Sequence, residues 1–105
     1  MIAILRQANM IRDKEWDPEC KLDLSFFGNE LAGETGEACN VIKKLERERL
    51  GLRGSRATVA QLAEELADVV IVVDLIASRL NIDLSYAIEQ KFNATSAKVG
   101  LKTVI

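Results

Sequence analysis

A 105-residue chain that is 49% apolar but only 5% aromatic must build its core from Leu, Ile, Val and Ala. Its net charge of −2, with both signs intermixed and no lysine–arginine stripe among aromatics, gives no electrostatic case for nucleic-acid binding. Histidine is absent and proline occurs once, at Pro18, so imidazole chemistry is excluded and no later proline breaks a helix.

This composition predicts an all-α protein, and the length predicts one domain over residues 1–105 or one protomer of a small helical oligomer. Ile2, Leu5, Ala8 or Asn9 and Ile11 make a rough helical stripe, giving a first helix over 2–12 that ends near Lys14, ahead of Pro18. A second helix runs from about Asp23 to Leu50, capped by Asp23 or Ser25 and closed by Gly51. Within it Gly33 and Gly36 each weaken the helix by about 1 kcal/mol relative to Ala. They flank Glu34, so another helix or a ligand is expected to come close there.

Gly51–Ser55, with Arg53 and Arg56, reads as a mobile basic loop. A third helix follows from about Thr58 to Leu80, with Thr58 and Gln61 as a modest capping box. Val69–Ile76 is apolar on nearly every side, as in a helix buried in a bundle or at an oligomer interface. Asn81 suits a left-handed turn, and Asp83 or Ser85 can cap a fourth helix to about Lys98. Cys20 and Cys39 read as reduced thiols. No signal or spanning segment is visible, because Val69–Ile76 is too short, so a soluble cytoplasmic protein without membrane association is expected.

The chemistry concentrates in two acidic pairs. Glu34-Thr-Gly-Glu37 and Glu65-Leu-Ala-Asp68 each place two carboxylates one turn apart on one helix face. Glu30 extends the first face, and Gln61 and Val72 extend the second. Solvated charged faces, or a salt-bridge network with Lys43, Lys44 and the arginines, are the plainer readings. Two such pairs on consecutive helices, both beside apolar stripes, instead suit a cage for a hard cation. Without histidine a Glu-x-x-His di-iron site and a Ser-His-Asp triad cannot be built, and two distant cysteines are poor zinc ligands. All-oxygen ligation points to Mg²⁺, with Mn²⁺ possible, and magnesium's preference for sharing its shell with phosphate oxygens suggests a phosphate-bearing substrate.

Glu34-x-x-Glu37, a spacer over residues 38–64, and Glu65-x-x-Asp68 within Ala-Glu-Glu-Leu-Ala-Asp-Val-Val resemble the MazG-like all-α nucleoside triphosphate pyrophosphohydrolases. The similarity continues through Leu80–Leu84 to Lys91 in Glu-Gln-Lys-Phe-Asn. It implies a protomer of four to five helices that forms homodimers or homotetramers. Mg²⁺ would be held by Glu34, Glu37, Glu65 and Asp68, with Glu34 and Glu37 as catalytic groups and Glu34 favoured to orient or deprotonate the water. The implied reaction cleaves a nucleoside triphosphate to monophosphate and pyrophosphate, as house-cleaning of non-canonical or surplus nucleotides. The superfamily also contains dUTPases, dCTP pyrophosphatases and phosphoribosyl-ATP pyrophosphohydrolases.

Lys44, Lys91 and Lys98 are the expected phosphate-side cations. Many members carry an asparagine four residues after the fourth-helix lysine and then an arginine. Here Thr95 stands at that place, Asn93 comes early and Lys98 replaces the arginine. Trp16 lies where relatives build a base-stacking wall, with Asn9 and Arg12 as polar companions, although it could equally anchor the first helix. The reading from another class is a non-catalytic helical module for oligomerisation or partner binding.

Overall fold

Cap chemistry sets the ends of every helix but the first. The computed structural model describes residues 1–105 and contains four helices and no strands: α1 Ile2–Trp16, α2 Leu24–Arg49, α3 Val59–Arg79 and α4 Leu84–Val99. Asp23, Thr58 and Asp83 each sit in extended backbone and accept a hydrogen bond from the amide three residues on, satisfying an otherwise orphaned donor. Thr58 and Gln61 form the full reciprocal box, at 3.1 and 2.8 Å. Asn81 and Gly100 take the left-handed conformations that stop α3 and α4.

Helix α1 runs two residues past the expected end. Proline constrains only its immediate predecessor, so Asp17 leaves the helical region (φ −136°, ψ 67°) while Lys14, Glu15 and Trp16 stay helical. Of the expected stripe Ile11 is exposed, while Asn9, one of its two alternatives at the third place, is the residue α1 buries.

α1 grips α3 through polar groups. Asn9 donates to Asp74 Oδ2 (3.0 Å) and to the Ile71 carbonyl (3.1 Å), and Arg6 donates to Asp74 Oδ1 (3.0 Å). Asp74 is fully buried, so these bonds offset the cost of removing its charge from water. One turn further on, Arg79 donates to both oxygens of Asp13 at 2.6 and 2.8 Å, and its guanidinium lies 4.7 Å above the Phe27 ring. The carboxylate of Asp13 holds that guanidinium far above its usual pKa.

α3 is the central element, packed on α2 along most of its length and on α1 along its C-terminal half. The buried apolar residues are Phe27, Ala38, Val41, Ala57, Val72 and Ala77. α4 makes almost no contact with the other helices, and its Ile88, Phe92 and Val99 are exposed. The radius of gyration is 17.1 Å, where a compact chain of this length has about 13 Å. The accessible surface is 7845 Å², about 2,000 Å² more than expected of a compact protein of 11.6 kDa. Only nine residues are buried. The fourth helix therefore leaves its apolar face without an intramolecular partner.

No atom lies within 4 Å of a side chain built at Gly33 or Gly36, so no helix of the same chain approaches there. The α2–α3 loop is pinned rather than free. Arg47 Nη1 donates to the Ser55 carbonyl (3.0 Å) and to Ser55 Oγ (3.2 Å). A Cβ at Gly54 (φ +130°) would come within 2.8 Å of that guanidinium, so glycine is required on both counts. No helix is long and apolar enough to cross a membrane.

Candidate metal centre and nucleotide cleft

Because α2 and α3 are joined by a short loop, they run antiparallel, and the middle of one faces the middle of the other. That places Glu34 and Glu37 opposite Glu65 and Asp68. Carboxylate oxygens of Glu34, Glu37 and Glu65 lie within 4.8 Å of one another, close enough for one cation to touch all three. Glu34 and Glu65 are half-buried, whereas Glu37 and Asp68 are exposed on the rim.

The electrostatics of this cluster are unrelieved. Burial pushes the Glu34 carboxyl up, and the charges of Glu37, Asp68 and Glu65 add to it. Burial likewise raises Glu65, with Glu37 next in effect and Asp68 and Glu64 behind. Every ion pair in the chain lies elsewhere, on Asp74, Glu19, Glu46, Asp13 and Asp17. A salt-bridge network is thus not what these four residues form. Glu34 Oε2 and Glu65 Oε2 are buried with no hydrogen-bond partner, a costly state for an ionised oxygen. Two orphaned hard-oxygen acceptors facing each other across a helix seam fit a divalent cation.

A cavity opens on each side of the cluster along the α2–α3 seam. Toward α1, one of about 380 Å³ is lined by Trp16, Phe26, Phe27 and Leu75, with Asn9, Arg12 and Glu30 supplying polar edges. Glu30 is one turn before Glu34, and lining residue Val72 is one turn after Asp68, so this cavity adjoins the cage directly. Toward the α2–α3 loop, a second cavity of about 270 Å³ takes Glu37 and Glu65 as one wall and Lys44 and Arg56 as cations. A larger cavity of about 420 Å³, between the α1 N-terminus and the α3–α4 turn, shares no residue with the cluster.

The structure brings Glu34, Glu37, Glu65, Asp68 and Lys44 to one seam, with Trp16 at the edge of the adjoining cavity. Lys91, Asn93 and Lys98 lie on α4, outside both cavities. Asn93 is engaged on both sides of its amide, donating to the Ile105 carbonyl (3.0 Å) and accepting from the Ile105 amide (2.9 Å). Arg56 lines the cleft although the sequence marks it only as one cation of a basic loop. Its position two residues before the Thr58 cap is the signal that places it near the start of α3.

A family model, the MazG nucleotide pyrophosphohydrolase domain, matches residues 25–102. No curated protein and no solved structure matches the chain. The matched region spans α2, α3 and α4 and contains all four carboxylates, while α1 with Asn9, Arg12 and Trp16 precedes it. The carboxylate seam and the span of that match together show that the chain belongs to the MazG nucleotide pyrophosphohydrolase family.

Proposed function

We propose that this protein is a Mg²⁺-dependent nucleoside triphosphate pyrophosphohydrolase that removes non-canonical or surplus nucleotides in the cytoplasm. The observation that carries this reading is the pair of buried, unpartnered oxygens of Glu34 and Glu65 inside a cluster of three carboxylates with Glu37, beside which the charge of Asp68 lies. Glu34, Glu37, Glu65 and Asp68 would hold the cation, with Mn²⁺ as a possible substitute. When bound, the cation supplies charge neutralisation at the phosphoryl oxygens and lowers the pKa of water.

Around it the side chains divide the work. Glu34, half-buried beside the other carboxylates with its carboxyl pushed up by burial, takes a proton from the attacking water. The water oxygen bonds to the α-phosphorus, and the bridging bond to the β-phosphate breaks with its electron pair leaving on pyrophosphate. Glu37 brings a third carboxylate oxygen within 4.8 Å of those of Glu34 and Glu65, and so would share the hold on the cation. Trp16 and Phe26 give the base an apolar wall and Arg12 offers it a hydrogen-bond edge, while Asn9 is committed to Asp74 and Ile71. Lys44 faces the phosphate side.

Assembly completes this reading. An exposed surface about 2,000 Å² in excess of a compact chain, set against the roughly 800 Å² each partner gives to a stable interface, supports a homodimer or homotetramer. α4, carrying Lys91 and Lys98, would then dock on another copy. The test is a turnover panel of canonical and modified nucleoside triphosphates with Mg²⁺, with products separated. Monophosphate plus pyrophosphate from at least one substrate is expected. No turnover of any, or diphosphate plus phosphate, would overturn the proposal and favour a non-catalytic oligomerisation module.

A further inference from the structure

The cleft on the loop side of the cage holds an unusual charge arrangement. Lys44 and Arg56 share about 270 Å³ with Glu37, Glu64 and Glu65, yet neither cation forms an ion pair. An exposed ion pair here would gain little, so both cations stay available to a ligand. Here the backbone on either side of Arg56 is fixed. Upstream, Arg47 clamps Ser55 through two hydrogen bonds, a clamp that Gly54 alone permits. Downstream, Ala57 is buried and Thr58 is locked to Gln61. Arg56 is thereby held as a lining residue of the cleft, with Lys44 on the α2 wall.

We propose that Arg56, together with Lys44, anchors the β- and γ-phosphates of the substrate and then the departing pyrophosphate. The inference rests on reading the chain as a triphosphate pyrophosphohydrolase, and it gives the seam a direction. The base lies in the aromatic cavity beside α1, the α-phosphorus at the carboxylates, and the diphosphate toward the α2–α3 loop. As the bridging bond to the α-phosphorus breaks, its electron pair collects on the β-phosphate. A planar guanidinium binds two phosphate oxygens at once, so Arg56 stabilises the charge on the leaving group. A diphosphate substrate lacks the second anchor point, which makes the cleft a selector for triphosphates.

The test is calorimetric titration of inorganic pyrophosphate with Mg²⁺ into wild type, Arg56→Ala, Arg56→Lys and Arg53→Ala, alongside KM for a triphosphate and its diphosphate. Arg53 lies in the same loop outside the cleft and controls for diffuse charge. Arg56→Ala is expected to weaken pyrophosphate about tenfold or more, with Arg56→Lys intermediate because a point charge replaces the fork. Arg53→Ala should stay within about twofold of wild type, as expected of a solvent-screened charge. Discrimination of triphosphate from diphosphate should shrink in Arg56→Ala, while nucleoside monophosphate affinity holds. Pyrophosphate affinity unchanged in Arg56→Ala, or lost equally in Arg53→Ala, overturns the role of Arg56 while leaving the hydrolase reading intact. A wild-type protein that neither binds pyrophosphate nor turns over a triphosphate overturns both.

Discussion

Substituting Phe92 by Asp should dissociate the assembly without unfolding the protomer. Phe92 is 43% exposed on a helix that packs on no other in its chain, one turn from exposed Ile88 and two turns from exposed Val99. With about 200 Å² of side-chain area in a phenylalanine, roughly 90 Å² awaits a partner. At about 25 cal/mol/Å² that is about 2 kcal/mol per copy, and about 4 kcal/mol when a twofold axis uses the residue twice. The dissociation constant should therefore rise about a thousandfold, before any cost of burying the new carboxylate is added. Sedimentation equilibrium at micromolar concentration should give a multiple of 11.6 kDa for wild type and 11.6 kDa for Phe92→Asp, with helicity retained. A wild-type monomer, or a variant that dissociates within about tenfold of wild type, would refute this account of α4.

Asp74→Ala should destabilise the protein by about 3 kcal/mol, the low end for breaking a buried ion pair because Arg6 keeps some solvent contact. Chemical denaturation at fixed protomer concentration checks it, and a loss below about 1 kcal/mol would show that Asp74 does not hold α1 on α3. Glu65→Gln should raise the melting temperature in chelator, by removing one of several crowded charges, and abolish the further rise that Mg²⁺ gives wild type; a lower temperature in chelator would contradict the crowding. Asp17 accepts from the Leu22 and Lys21 amides (both 2.8 Å), which hold its carboxyl below the usual 3.8. A depressed carboxyl contributes stability that is complete above the unfolded value and lost as pH falls through the folded one. The melting-temperature gap between wild type and Asp17→Asn should thus be steady near neutrality and close only below 3.8; a gap that widens on acidification would reverse the assignment.

Local signals carried far in this sequence. Asp23, Thr58, Asp83, Asn81 and Gly51 mark helix ends because capping is chemistry between neighbours, and all three later helices end within one residue of expectation on both sides. The carboxylate seam was legible for a related reason. Regular three-residue spacing on two consecutive long helices leaves little freedom once the helices pack antiparallel. What escaped depends on distant partners. Asp74 looks like an interruption of an apolar run, yet it is the most deeply buried charge because Arg6 and Asn9 reach it from α1. The loop at 51–55 looks mobile because Gly and Arg dominate it, yet the Arg47 side chain, reaching out of α2 to Ser55, ties it down. Gly33 and Gly36 suggested the approach of a helix or a ligand, and within one chain no helix approaches them. Residues on α4 resisted assignment for a geometric reason. Sequence spacing places Lys91 and Lys98 on a helix without saying what that helix meets.

The central claim is that the Glu34–Glu37–Glu65–Asp68 seam is a metal-dependent catalytic centre. Pyrophosphate release from a competent nucleoside triphosphate, measured with Mg²⁺ for wild type, Glu37→Gln and Asp68→Asn at matched helicity, tests it most directly. The account predicts release by wild type that stops when the metal is chelated, and loss of turnover in both folded variants. Retention of more than about a tenth of wild-type turnover by both variants, far above what loss of a metal-holding group allows, would contradict it.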